Sequence, residues 1–155
     1  MNLSELNKFL NKFDIKEDKI EVYTNNKKLF EVNSNIFLSE KEFEKNQVFG
    51  DTLLFINLKN GLMPTTYLLN FIKENSKNIL KLKSDKHKVD FTYGKSLSLD
   101  SITKSNNLKL IENKKYLILS TNEIILGIVE YNQKDKKNPL ENKFNIGEYL
   151  KENRD

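Results

Sequence analysis

At 155 residues the chain has room for one ordinary domain or two small ones. Apolar residues at 37% and charged residues at 31% fit a soluble protein with a modest core, and runs such as Ile124-Ile125-Leu126-Gly127-Ile128-Val129 are far too short to cross a bilayer. With no cysteine there is no disulfide framework, thiolate metal site or thiol nucleophile.

The start, Met1-Asn2-Leu3-Ser4-Glu5, lacks the basic and apolar segments of a signal peptide, so a cytoplasmic protein is expected. The net charge of +4 is mildly basic and points toward a polyanionic partner. Every basic residue but Arg154 is lysine. Polyanion binding would therefore rest on lysine point charges rather than bidentate arginine, and should be salt-sensitive.

In chain order, Leu3, Leu6, Leu10 and Phe13 share one helical face, with Asn2 and Glu5 spaced as a capping box. Ile20–Tyr23 and Leu29–Val32 read as a hairpin around Asn25-Asn26, and Ile36–Leu38 as a further strand. Ser39 and Glu42 form a second capping box, with Leu38 and Phe43 as its staple; Glu40, Glu42 and Glu44 read as a solvated helix face. Thr52–Leu58 is a strand stopped at Asn60-Gly61, Pro64 opens a helix to about Glu74, and Ile79–Leu82 returns as a strand. The polar stretch 83–88 is the expected boundary, giving units 1–83 and 84–155.

Beyond it, strands are expected at Val89–Tyr93, Leu108–Ile111, Tyr116–Ser120 and Ile124–Tyr131, with Thr121-Asn122-Glu123 as a hairpin turn. Gly127 marks a bulge or barrel corner. Short helical pieces are expected near Leu97–Leu99 and Ile146–Lys151. The class is α+β: a first α+β unit with an antiparallel sheet, then a small β barrel.

Catalysis has little to rest on. His87 is the only histidine and falls in the polar boundary stretch, where it reads as a solvated linker residue. No glycine-rich phosphate loop is present, and a zinc site lacks ligands. Neither cofactor nor metal is expected. The tail is more informative. Lys134, Lys136 and Lys137 form a basic loop, Lys143 follows, and Asn145 and Glu148 are spaced to cap a short helix, with Phe144 and Tyr149 as its staple. Ile146, Tyr149 and Leu150 form its buried stripe. The pattern sets mobile positive charge beside a helix N-terminus whose amides Gly147 leaves open, a generic anion site. A solubilising loop and tight packing at Gly147 are the plainer readings. Phe91-Thr92-Tyr93-Gly94-Lys95 combines a stacking face, a close backbone approach and a phosphate contact, although alternation puts Phe91 and Tyr93 on one face, where both can be core.

Taken together, FTYGKSLSLDSITKSN, ILGIVEY, a basic segment ending in Pro139, and NIGEYLKE resemble the C-terminal PUA domain of the Nip-seven family, assembly factors for the large ribosomal subunit. The Pro64 helix, TTYLLNFIKENSKN, and the strand after it resemble that family's pre-PUA domain. The resemblance implies a non-catalytic, monomeric protein: a pre-PUA domain followed by a PUA pseudo-barrel that holds large-subunit (pre-)rRNA. It also implies ribosome-assembly proteins as partners, no membrane, and a cytoplasmic location (nucleolar or nuclear in a eukaryote). The short chain suits an archaeal member. By position, the RNA-contacting residues would be Tyr93, Lys95, Lys104, Lys134, Lys136, Lys137 and Lys143. Asp100, Ser101 and Thr103 replace the family's serine and glycines, which moves the expected RNA surface toward Lys134–Lys143. The alternatives are a protein-interaction module with incidental RNA contact, or an accessory fragment of an RNA-modifying enzyme, for whose catalytic domain the first 83 residues leave no room.

Overall fold

The computed structural model describes residues 1–39, 52–105 and 107–151. The Glu42 and Phe43 halves of the second capping box and its staple, and the Glu40–Glu44 face, lie outside the described residues. The chain forms two compact units, one of residues 1–11 and 15–75, the other of residues 12–14 and 76–155. Among the described residues no helix is long and apolar enough to cross a membrane.

In the first unit, helices α1 (Leu3–Asn11) and α2 (Glu17–Thr24) precede strands β1 (Lys28–Val32), β2 (Asn35–Ser39), β3 (Thr52–Leu58) and β4 (Gly61–Pro64), then helix α3 (Thr66–Asn75). The strands form one antiparallel sheet in chain order. Asn2 caps α1, its Oδ1 accepting the Glu5 N–H at 2.9 Å. The expected hairpin at Asn25-Asn26 is overturned. Alternation would bury Ile20 and Val22 together, but the chain buries Ile20, stacks Tyr23 on Phe71 at 3.9 Å and leaves Val22 exposed, a spacing of three that belongs to a helix. The hairpin turn sits instead at Asn33-Ser34, both at positive φ, as a two-residue loop requires. Leu6, Leu10, Leu54, Leu68 and Ile72 are wholly buried, and Phe9 meets Phe55 edge-on.

The second unit carries strand β5 (Ile79–Leu82), helix α4 (Lys86–Thr92), a single 3₁₀ turn at Leu99–Ser101 and strand β6 (Ile102–Thr103). Strands β7 (Lys115–Leu119), β8 (Ile125–Tyr131) and β9 (Leu140–Asn145) and helix α5 (Gly147–Lys151) follow. Its sheet runs β6-β5-β7-β8-β9, with only β5 and β7 parallel. The break between units therefore precedes β5, between Asn75 and Ser76, rather than following Lys83. Residues 12–14 belong here too. Phe13 is wholly buried, its carbonyl accepts the Ser76 hydroxyl, Lys115 N–H donates to the Lys12 carbonyl, and Lys114 pairs with Asp14 at 2.7 Å.

Two expected strands are absent. Val89–Tyr93 is the end of α4 and the residue after it; only Phe91 is buried, with Val89 and Tyr93 left exposed. Leu108–Ile111 is irregular. Leu108 and Leu110 pack on the core cluster, while the Tyr116 hydroxyl accepts the Ile111 N–H and donates to the Lys109 carbonyl. A side chain, not a strand partner, satisfies that backbone.

Gly127 behaves as its position suggested. Ile118 pairs with Gly127 and Leu119 with Ile125, so Leu126 is the extra residue of a bulge. On the other side β9 closes in: a Cβ at Gly127 would lie 2.1 Å from the Phe144 carbonyl oxygen. Gly127→Ala should therefore lower stability by about 2–3 kcal/mol, since backbone cannot give way as a side chain can. Denaturant unfolding measures it; a loss under about 0.5 kcal/mol would show that β9 shifts freely.

Candidate nucleic-acid interface

The sequence Tyr93-Gly94-Lys95 is a helix stop. Gly94 takes φ +102°, the Lys95 N–H reaches the Asp90 carbonyl, and the Gly94 N–H reaches that of Phe91, the paired bonds of a Schellman motif. The turn leaves Tyr93 two-thirds exposed and points the chain toward β9. There Leu97 and Leu140 exchange backbone hydrogen bonds, and the Asn142 amide donates to the Phe91 carbonyl at 2.8 Å and the Lys95 carbonyl at 3.1 Å. The Asn142 N–H donates to the Ser96 hydroxyl. Residues 91–97 are thus fastened along β9.

The basic loop between β8 and β9 is equally constrained. Asn132 Oδ1 accepts the Lys134 N–H, and Asp135 Oδ1 accepts the N–H groups of Lys137 and Asn138 at 3.1 and 2.8 Å. The Gln133 N–H donates to the Glu112 carboxylate at 2.6 Å. Asx turns of this kind hold a loop in one shape. The loop backbone is held in one shape, while the side chains of Lys134, Lys136 and Lys137 are all exposed.

These two features form the walls of an open cleft of about 650 Å³. Its charged and titratable lining is His87, Asp90, Lys95, Asp135 and Lys137, with the hydroxyl residues Ser96, Ser98 and Ser101 between them. Lys95 Nζ lies 3.4 Å from Asp90 Oδ1, an exposed pair worth little in free energy. Among the described residues no group of three or more His, Asp or Glu could hold a metal ion.

The structure brings together part of the residue set read from sequence. Lys95 and Lys137 face the same cleft, and Lys134 and Lys136 share the Lys137 loop. Tyr93 is exposed next to the Lys95 turn. Lys104 lies outside the cleft lining and bonds through Nζ to the Leu108 carbonyl. Lys143 does not join the loop lysines. It pairs with Glu141 at 3.1 Å and is the extra residue of a bulge in β9, where Phe144 pairs with Ile128 and Asn142 with Val129. There Lys143 adds to the field around Lys115, whose ammonium burial pushes down in pKa against the raising effect of Glu130.

The loop also does not adjoin α5. The strand β9 separates them by about 17 Å at the usual rise per residue. Nor is the helix start an open anion site. Asn145 Oδ1 is buried and accepts no hydrogen bond, so it does not cap, and a Cβ at Gly147 would lie 2.1 Å from the Thr92 carbonyl oxygen. Gly147 is there because α4 ends against it. The staple does form, Phe144 meeting Tyr149 edge-on at 5.5 Å, but Leu150 is exposed.

Sequence reasoning missed His87, Asp90 and Asp135. Gly94 as a helix stop, with His87 and Phe91 four apart, is the signal that would have set them on α4. Asp135 followed by Lys137-Asn138-Pro139 is an Asx-turn signature. At Asp100-Ser101 the backbone is a 3₁₀ turn and at Thr103 a strand, none at positive φ, so glycine is not needed there.

No family model and no curated protein matches the chain. Seven solved chains do match. One is described as "Structure of a Conserved PUA Domain Protein from Thermoplasma acidophilum", with TM-score 0.48, 11% identity, and coverage of 97% of this chain and 94% of that one.

Asp135→Ala removes two loop hydrogen bonds and should cost about 1 kcal/mol. Amide exchange at Lys137 and Asn138 should then accelerate with little change elsewhere; unchanged exchange there would show the loop is held by other means. Burial raises the Tyr149 phenol from 10.0 to about 12. The folded state favours the neutral phenol, so its contribution to stability is complete below about pH 10 and is lost as pH rises through about 12. Tyr149→Phe should flatten that alkaline decline in a pH series of unfolding midpoints.

Proposed function

We propose that the chain is a non-catalytic, monomeric RNA-binding protein, and that the cleft rim of its second unit is the RNA surface. The supporting observation is the pair of braced elements that set Lys95 and Lys137 on facing walls, with Tyr93 exposed beside one and Lys134 and Lys136 beside the other. Lysines on a braced backbone suit phosphates, and an exposed ring suits an unstacked base. The resemblance of residues 91–106 and 145–152 to the Nip-seven family supports a finer reading: the second unit is a PUA-like domain, and the chain is a cytoplasmic assembly factor holding large-subunit rRNA or pre-rRNA. Ribosome-assembly proteins would be its partners. Lys104 and Lys143 stand outside the proposed surface.

Exposed Val22 and Tyr67 on the first unit favour a second reading, a protein-interaction module with incidental RNA contact. Nuclease treatment separates the two in a pull-down. Partners that survive it favour the module; partners that are lost favour RNA as the link.

For about four to six phosphate contacts on single-stranded RNA, log K should fall against log salt with a slope of about −3 to −4. Changing Lys134, Lys136 and Lys137 together to glutamate should abolish binding while the melting temperature holds, because all three side chains are exposed. A slope near zero, or full binding by the triple variant, contradicts the assignment.

A further inference from the structure

The charges around the cleft cancel in all but one group. Asp90 on α4 faces Lys95 from the turn after it, and Asp135 and Lys137 stand on the loop between β8 and β9. The turn and the 3₁₀ element add only hydroxyls, from Ser96, Ser98 and Ser101, and the loop adds the Asn138 amide. Two aspartates against two lysines leave a formal charge of zero. The remaining titratable group is His87, from the first turn of α4. Its chain neighbours Lys86 and Lys88 are not in the cleft lining, and Asp85 accepts the Thr121 hydroxyl at 2.8 Å. Histidine is the side chain that ordinarily changes charge between pH 5 and 8.

We propose that this cleft is a proton-gated anion site, which seats a phosphate group between Lys95 and Lys137 when His87 is protonated. Neutral His87 leaves two carboxylates against two ammoniums, with Asp90 paired to Lys95 and Asp135 holding the loop N–H groups. A proton on the imidazole gives the cleft a net positive charge and a third donor. Phosphate then completes the balance, with hydroxyls and the Asn138 amide available to its remaining oxygens. An RNA phosphate as the occupant rests on the function proposed above; the anion site itself does not.

By linkage, an anion that prefers the protonated cleft raises the titration midpoint of His87, one unit for each tenfold of preference. His87 is the only histidine, so its ring C–H signals stand alone in a proton NMR spectrum. The titration is run on the whole chain in a non-phosphate buffer, then with inorganic phosphate, then with a short single-stranded oligoribonucleotide. The expected result is an upward move of the midpoint with both anions. RNA affinity should tighten about fivefold or more from pH 8 to pH 5.5, and His87→Gln should remove that dependence. Asp90→Asn, which deletes an exposed carboxylate, should make the cleft positive without His87 and bring pH 7.5 binding close to the wild-type value at pH 5.5. A move with phosphate but no RNA binding supports the anion site and defeats the RNA reading. RNA binding with an unmoved midpoint, or an unchanged pH dependence in His87→Gln, overturns the proposal and leaves the RNA reading standing. No movement with either anion also overturns it.

Discussion

The fastening of residues 91–97 onto β9 is the constraint on which the candidate surface depends. A helix that stops at Gly94 has no intrinsic reason to hold Lys95 in one place. Here the Asn142 amide spans the Phe91 and Lys95 carbonyls, Leu97 pairs with Leu140, and Gly147 admits the Thr92 carbonyl where a methyl group could not fit. The same strand leads directly out of the lysine loop. One strand thus carries both cleft walls, so their spacing follows from backbone pairing rather than from long side chains finding one another.

This arrangement also explains why acidic residues sit among the lysines. Asp135 is spent on the N–H groups of Lys137 and Asn138, and Asp90 supplies both the carbonyl that closes the helix stop and a carboxylate beside Lys95. Both aspartates shape the site. The cost is a cleft with little net charge, which shifts the main electrostatic pull to Lys134 and Lys136 on the rim.

The α+β class was legible in the sequence, as were the β7–β8 hairpin, α1 with its Asn2 cap, and the need for glycine at position 127. These rest on signals within a few residues of each other. Ile20–Tyr23 and Val89–Tyr93 were misread for one reason: each presents alternating apolar residues, and only partners far along the chain, Phe71 for Tyr23 and β9 for the α4 end, select the helical spacing. Leu108–Ile111 failed differently, because the hydroxyl of Tyr116 replaces a strand partner. The loop lysines were found from their clustering, and Lys95 from its place after glycine. Lys143 is near them in sequence, but it sits at a bulge within β9 and pairs with Glu141. His87 reads as a linker residue because the stretch around it is polar, and only the fold places it on a helix.

Ultraviolet crosslinking of the protein to RNA in cells, with the crosslinked peptides identified by mass spectrometry, tests the central claim most directly. The account predicts crosslinks in residues 86–95 and 132–138, with Tyr93 and the loop lysines foremost, and none at Lys143. Crosslinks confined to the first unit, or to the β9 face that carries Lys143, would contradict it.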